Sequence, residues 1–159
     1  MATQLTSNTY SQSSVYTGNV AASWANMNDG NCDTGTATQT TPLPSYVATD
    51  LLTAVAVDYI VIGYDKNNVL PGGWGTAYSV SGGSVGTCNL QGSTDNTNWT
   101  TITALPSFTV AGGPSNGLAA VSVKTTTYRY LRIANTTTYF AVTEFQVWTP
   151  DSKFLAMFR

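Results

Sequence analysis

The chain of 159 residues contains no histidine and a single glutamate, Glu144. Most acid–base and nucleophilic mechanisms rely on a histidine, or on two carboxylates placed either side of the reacting bond. The eight acidic residues fall mostly in predicted turns, and no two of them show the spacing of an acid and base pair. The sequence therefore predicts a non-catalytic protein, and a carboxylate-pair glycosidase is the weaker alternative.

Charged residues of either sign are scarce. They make up 9% of the chain, and the six Lys and Arg are scattered along it. Proteins that bind nucleic acid need a basic patch to neutralise phosphates, so nucleic acid is not expected as a partner. The polar surface comes instead from hydroxyl and amide side chains, with 27 Thr, 14 Ser and 12 Asn.

The chain also lacks a long apolar run. The most apolar window, Tyr46 to Tyr64, is interrupted by Asp50 and Asp58, so no membrane span is predicted. The N-terminal segment has neither a basic start nor an apolar stretch, and no secretory signal is expected. We therefore expect the protein on a virion surface, with an extracellular location as the alternative.

Only two cysteines are present, Cys32 and Cys88. An even count is compatible with one disulfide or with two reduced thiols. Without a secretion signal, reduced thiols are the expectation. Each is expected to act as a small buried apolar side chain rather than as a nucleophile, because no histidine is available to activate it.

The abundant residues are strand formers. Thr and Val are frequent, whereas the strong helix formers Glu, Lys and Arg are rare, so an all-β protein is predicted. Alternating residues around a polar turn predict a hairpin over Asn89 to Ile102. Further strands are predicted at Leu51 to Tyr64, Tyr128 to Ala134 and Ala141 to Trp148, the first of them apolar on both faces and therefore central. In the second, alternation predicts Leu131 and Ile133 inward and Tyr130 and Arg132 on the opposite face. In the third, it predicts Phe145 and Val147 toward the core and Glu144 and Gln146 away from it.

Composition predicts an N-terminal arm at 1–12 and an apolar tail at 149–159, on either side of the β-rich domain at 13–148. The tail contains the run Phe154-Leu155-Ala156-Met157-Phe158. Apolar side chains at a chain end need burial. They either fold back over the domain or insert into a neighbouring subunit, which would make the protein an oligomer or an assembly subunit.

Three motifs, in order, resemble the discoidin or coagulation factor 5/8 type C family, whose bacterial members include galactose-binding-like carbohydrate-binding modules. The motifs are MNDGNCDTGTAT at 27–38, LQGSTDNTNWTTI at 90–102, and YRYLRI at 128–133 followed by VTEFQVW at 142–148. The resemblance implies an eight-stranded antiparallel jelly-roll β-sandwich that binds ligands through loops at one end. The chain departs from the family pattern after Thr36, where no Trp follows, and in lacking terminal cysteines.

Asp29, Asn31 and Asp33 alternate in the first motif and could supply several of the six to eight oxygens that calcium requires. The resemblance implies a structural calcium in this loop, completed by a glutamate on the last strand, a place that Glu144 occupies. The predicted metal ligands are Asp29, Asn31, Asp33, Thr36 and Glu144. The alternative is that the loop side chains only cap turns.

Sugar rings stack on exposed aromatic side chains, while amide and charged groups bond their hydroxyls. Aromatic and polar residues in or beside predicted loops are therefore the candidates for glycan binding. They are Trp24, Asn26, Trp74, Tyr78, Arg132 and Tyr139. Trp99 and Trp148 are assigned to packing instead.

Two functional classes follow from these features. The first is a virion subunit, such as a phage capsid decoration or tail-fibre protein, that displays a discoidin-like domain for host glycans. The low-charge surface and the apolar tail favour it. The alternative is a free-standing, lectin-like carbohydrate-binding module associated with a secreted glycan-active system.

Overall fold

A computed structural model describes residues 2–16, 20–31, 34–39, 41–63, 88–105, 118–123, 127–137 and 139–150. These residues form eleven strands and one helical turn. The elements are β1 (Thr3–Gln4), β2 (Thr9–Gln12), α1 (Trp24–Met27), β3 (Thr36–Ala37), β4 (Ser45–Val55), β5 (Tyr59–Gly63), β6 (Cys88–Ser93), β7 (Thr100–Ala104), β8 (Leu118–Ser122), β9 (Tyr128–Asn135), β10 (Ala141–Val142) and β11 (Phe145–Thr149).

The strands pair into two main antiparallel sheets. One has the order β1-β11-β5-β8 and the other the order β2-β4-β9-β6-β7, with a two-stranded ribbon, β10-β3, beside them. The predicted all-β antiparallel fold is confirmed. The segment predicted as an N-terminal arm, 1–12, contributes one strand to each main sheet. Across the described ranges, no helix is long and apolar enough to cross a membrane.

The core lies between the two main sheets, where alternate side chains of facing strands meet. The five-stranded sheet contributes Val47, Leu131 and Ile133, all fully buried, and so confirms the predicted inward direction of the last two. The four-stranded sheet contributes Ile60 and Phe145, also fully buried. The opposite side chains of β9, including Arg132, therefore lie on the outer face of the five-stranded sheet.

The prediction of one central strand over Leu51 to Tyr64 is wrong. The run divides into the end of β4 and all of β5, and these two strands lie in different sheets. Leu52 adopts a positive φ of 67° inside β4, where the register with β9 shifts between Asp50 and Val55. Val57 is buried where the chain crosses between the sheets. Both faces of the run are apolar because its two halves enter the core from opposite sheets, which gives the same hydropathy pattern as a strand covered on both sides.

The predicted last strand is also divided, into β10 and β11, with Thr143 and Glu144 between them. Glu144 and Gln146 are predicted to face away from the core. They point away from it but do not reach solvent, since Glu144 is 0% and Gln146 8% exposed. The loop that contains Asn31 lies against Glu144 and covers it.

The hairpin predicted from the alternating pattern is present as β6 and β7, which pair antiparallel with a bulge after Leu90. Asp95 organises its turn by accepting hydrogen bonds from the amides of Thr97 and Asn98, each at 2.8 Å. A short side chain that bonds the backbone two and three residues ahead is a common way to fix such a turn. The turn brings Asn96 to the outer face beside Tyr130.

Candidate functional site

A pair of carboxyl groups joins the loop after α1 to the start of β11. Glu144 lies within hydrogen-bonding reach of the Asp29 side chain, and its Oε1 accepts the Asn31 amide at 3.1 Å. Gln146 donates to the other Glu144 oxygen at 2.8 Å. On the loop side, the two Asp29 oxygens accept the Asn31 amide at 2.9 Å and the Thr34 hydroxyl at 2.8 Å.

The two carboxyl groups have opposite pKa shifts. Burial, together with the neighbouring Asp29, raises the pKa of Glu144 to about 7. Burial also tends to raise the pKa of Asp29, but hydrogen bonds with Glu144, the Asn31 amide and Thr34 leave it below its ordinary value. Two carboxylates this close repel each other when both are ionised, so one holds a proton unless a cation neutralises the pair.

Close backbone contacts fix the pair in place. A Cβ atom at Gly35 would lie 2.6 Å from the Val142 carbonyl oxygen, so the returning loop presses directly on the chain before Glu144. A Cβ atom at Gly63 would lie 2.7 Å from the Glu144 Cβ. Because only glycine fits at both positions, the loop and β5 hold Glu144 from two sides.

The chemistry of this donor set fits a hard cation. Carboxylates, hydroxyls and backbone carbonyls are the oxygen ligands that calcium prefers. Among the described residues, no lysine or arginine pairs with the exposed Asp29 or the buried Glu144. In the described ranges, two carboxylates meet here, and no group of three or more His, Cys, Asp or Glu side chains occurs. Asp33, another predicted ligand, lies outside the described residues.

The structure corrects the choice of threonine in this loop. The Thr36 hydroxyl lies 2.6 Å from Gln12 Oε1 and 2.7 Å from the Val20 carbonyl oxygen, which places it with the N-terminal segment and not with Asp29. Thr34 is the threonine that bonds Asp29. The motif contains both threonines, and sequence spacing does not distinguish them.

A second charged cluster lies on the outer face of the five-stranded sheet and is centred on Arg132. The guanidinium carbon lies 4.2 Å from the ring centroid of Trp99 and 5.3 Å from that of Tyr46. Its Nε donates to Gln91 Oε1 at 2.7 Å. Burial lowers the pKa of Arg132, although an arginine stays charged at any ordinary pH.

Arg132 has no acidic partner within the described part of the chain, and its two terminal Nη groups donate to no described residue. Arg129, on the same strand, shows the contrast. Its Nε and Nη2 donate to the two Asp50 oxygens, both at 3.0 Å, in a forked ion pair. The half-buried charge of Arg132 is thus held in place by aromatic rings and an amide, with donors left over.

A hollow of about 170 Å³ opens beside Arg132 on the same face. Its floor includes Ala48, the residue directly opposite Arg132 in the neighbouring strand. The lining around this floor is mostly polar. It includes Thr9, Ser11, Asp50, Asn96 and Tyr130. We call Arg132, its three contacts Tyr46, Gln91 and Trp99, and this hollow the sheet-face site.

The structure separates the predicted glycan-binding residues. Trp24 is 37% exposed on α1, with its ring 6.5 Å from that of Tyr10. Tyr139 is half-buried against Tyr16, with the ring centroids 6.4 Å apart. Arg132 lies on the outer face of the sheet. Trp74 and Tyr78 lie outside the described residues.

Asn26 has a structural position, which corrects its assignment as a hydroxyl partner. It is 7% exposed, and its Oδ1 accepts the Ser23 amide at 2.7 Å. Its Nδ2 donates to the carbonyls of Ala21 and Gly35 at 3.1 and 3.3 Å. A buried amide with these bonds ties α1 to the loop that carries Asp29 and has no free group for a ligand.

Sequence reasoning missed the aromatic partners of Arg132. Trp99 was assigned to packing, and Tyr46 was read only as part of an apolar window. Alternation along β9 placed Arg132 on the outer face, but only the register shows what lies beside it. That register puts Ala48 and Gln91 opposite Arg132 on its two sides.

Comparison with known proteins gives a fold but no sequence relative. No protein-family model and no curated protein sequence matches the chain. A family 32 carbohydrate-binding module of NanJ from C. perfringens, solved with galactose, is 15% identical over 93% of this chain and 99% of its own, with a TM-score of 0.64. The chain has a discoidin-like fold.

Two further structures show the settings in which this fold occurs. A fucolectin from striped bass serum (Morone saxatilis) is 15% identical over 94% of this chain and 48% of its own, with a TM-score of 0.66. A truncated AlyQ with family 32 binding and alginate lyase domains is 19% identical over 93% of this chain, with a TM-score of 0.63. The discoidin-like chain spans 33% of that protein.

Proposed function

We propose that this discoidin-like chain is a non-catalytic, lectin-like module that binds glycans. The observation that carries the proposal is Arg132, whose half-buried guanidinium is held by Trp99, Tyr46 and Gln91 while its Nη groups stay available. Ligand sites commonly combine aromatic surface with a few fixed polar groups that orient the ligand. The fold adds support, because the similar structures are carbohydrate-binding modules and a lectin.

A glycan array with the purified chain tests this function. We expect binding to a subset of glycans and its loss in Arg132→Gln. Ser122→Ala serves as a control for surface changes, because Ser122 is exposed on β8 of the other main sheet. An array on which the chain binds no glycan would refute the proposal and leave the fold intact.

We also propose that one calcium ion binds between Asp29 and Glu144 and acts structurally. The two carboxylates, the Thr34 hydroxyl and carbonyl groups of the loop would hold it, while Asp33 and Asn31 stay predicted ligands. A cation there would neutralise the pair and allow both groups to ionise. The ion would supply charge compensation and tie the loop to β11, with no part in a reaction.

Calcium titration into chelator-treated protein checks the site. A ligand that binds only the folded state raises stability by about 2.7 kcal/mol at a concentration of 100 times its dissociation constant. In a chain of this size that corresponds to a rise in melting temperature of roughly 5–10 °C. An unchanged melting temperature at millimolar calcium would remove the ion from the proposal.

The choice between a module and an assembly subunit rests on different features. The comparisons favour the module, since the similar structures are binding domains and a lectin, and none of these points to a virion protein. The tail that suggested a subunit, 149–159, lies almost wholly outside the described residues. Light scattering distinguishes the two: a module is expected to be monomeric. If an oligomer persists, deletion of residues 153–159 tests whether the tail holds it together.

A further inference from the structure

We infer that the sheet-face site binds the carboxylate and ring hydroxyls of an acidic sugar such as a uronic acid, with Arg132 on the carboxylate. The inference rests on the proposed glycan-binding function and names the class of glycan. It also places the site on the outer face of the five-stranded sheet. Three features carry it: an uncompensated charge, a fixed donor geometry and a polar hollow next to them.

The first feature is the charge of Arg132, which no described acidic side chain compensates. A half-buried cation is costly unless an opposite charge is close, and Arg129 shows how the same strand meets this need with Asp50. Arg132 has no such partner in the described part of the chain. A neutral sugar would leave the charge uncompensated, whereas a carboxylate would complete it.

The second feature is the geometry of the N–H donors of Arg132. The planar guanidinium presents paired N–H groups that match the two oxygens of a carboxylate. Stacking on Trp99 at 4.2 Å and the Nε bond to Gln91 fix the plane of the group before any ligand arrives. Because the Trp99 ring covers one face of the guanidinium and Gln91 accepts from its Nε, the terminal nitrogens are the donors that remain for the ligand.

The third feature is the polar lining of the hollow. Its outward-facing hydroxyl and amide groups, from Thr9, Ser11 and Asn96, are suited to the hydroxyls of a sugar ring. Ala48, on β4, lies directly opposite Ser11 on one side and directly opposite Arg132 on the other. Neighbouring strands lie about 4.8 Å apart, so Ser11 and Arg132 are roughly 10 Å apart across β4. A pyranose that makes a hydrogen bond at each end covers this distance.

Among the described residues, two acidic groups lie on this face, Asp50 and Asp95. Asp50 lines the hollow, but Arg129 pairs with both of its oxygens. Asp95 is fully exposed in the hairpin turn, where water and salt screen its charge and neighbouring amides already bond it. Neither compensates Arg132, so a ligand carboxylate meets an available cation.

Galacturonate and galactose form the sharpest pair of probes, because they differ only in the carboxylate at C6. Titration followed by amide NMR shifts gives both affinities and the location of binding. We expect galacturonate to bind at least tenfold more tightly than galactose, with shifts in β4, β9 and the 94–99 turn. Arg132→Gln should abolish the preference. Arg132→Lys should lose most of it, since a lysine keeps the charge without the planar fork.

Lys153→Gln is the matched control, since it removes one positive charge outside the described residues and should leave the preference unchanged. Inorganic sulfate tests whether an anion suffices. Sulfate binding as tight as galacturonate would overturn the role of the ring. A preference that persists in Arg132→Gln would overturn the role of the arginine. Array binding to neutral glycans alone would refute this inference while supporting the proposed function, whereas no glycan binding at all would refute both.

Discussion

The carboxyl pair and the sheet-face site each hold a charge that the described protein leaves uncompensated, but the two charges are held differently. Asp29 and Glu144 come from segments far apart in sequence, and Glu144 is completely buried. Arg132 lies half-buried on a regular strand, on the outer face of its sheet. A carboxyl pair with one fully buried member suits a small ion that stays bound, whereas a half-buried cation beside a surface hollow suits a ligand that exchanges.

The stability of the fold depends more on the carboxyl pair than on the Arg132 cluster. The loop with Asp29 packs against the chain around Glu144 so tightly that a Cβ atom at Gly35 has no room. The Arg132 cluster adds ring contacts to a sheet whose register is already set by β4, β6 and β9. Changes at the carboxyl pair should therefore act on stability, and changes at Arg132 on binding.

Glu144→Gln gives the largest expected effect. The variant should lose the stabilisation of about 2.7 kcal/mol expected at 100 times the dissociation constant of calcium. Without calcium at pH 8 it should be at least as stable as the wild type, because a neutral amide replaces an uncompensated buried charge. Differential scanning calorimetry with calcium and with chelator checks this crossover. A variant that melts lower than the wild type in both conditions would argue against a cation at the pair.

Gly63→Ala should have the second-largest effect. Its Cβ would lie 2.7 Å from the Glu144 Cβ, and overpacking of this kind typically costs about 1–3 kcal/mol. The strand end would have to move, so calcium affinity should fall together with the denaturation midpoint. Galacturonate binding at Arg132 should not change. Gly30→Ala is a useful comparison, since nothing lies within 4 Å of its Cβ and only its φ of 75° disfavours the substitution.

A change of pH should have a smaller effect on the stability of the calcium-free protein than either of these substitutions has on stability. The pKa of Glu144 rises from 4.5 unfolded to about 7 folded, so its protonated form stabilises the fold fully below pH 4.5. That stability is lost as the pH rises through 7. The lowered pKa of Asp29 acts in the opposite direction but below its ordinary value of 3.8, outside this window. The melting temperature in chelator should therefore fall between pH 5 and pH 8, and Glu144→Gln should flatten the curve.

Trp99→Leu should have the smallest effect on stability. It removes a cation–π contact worth about 0.5–1 kcal/mol at a partly exposed site. The apolar bulk is largely kept, so the melting temperature should change little. The preference for galacturonate over galactose should nevertheless weaken, because Arg132 loses the ring that fixes its plane. An unchanged preference would show that Gln91 alone positions the guanidinium.

Sequence patterns predicted the elements with strong local periodicity and failed where the chain changes sheet. The 89–102 hairpin and the inward faces of Leu131 and Ile133 follow from alternation alone. The division of the 51–64 run does not, because residues that are exposed near the crossing, Leu52, Ala54 and Ala56, are apolar like the buried ones. The motif resemblance pointed to Asp29 and Glu144, but the partners of Arg132 depend on cross-strand register, which residue order does not reveal.

A thermal-shift experiment that combines calcium with galacturonate tests the central comparison most directly. We expect two separate rises in melting temperature for the wild type, one with each ligand. Glu144→Gln should lose only the calcium rise, and Arg132→Gln only the galacturonate rise. If Arg132→Gln keeps the galacturonate rise, or if neither ligand shifts the wild type, the assignment of these two regions is contradicted.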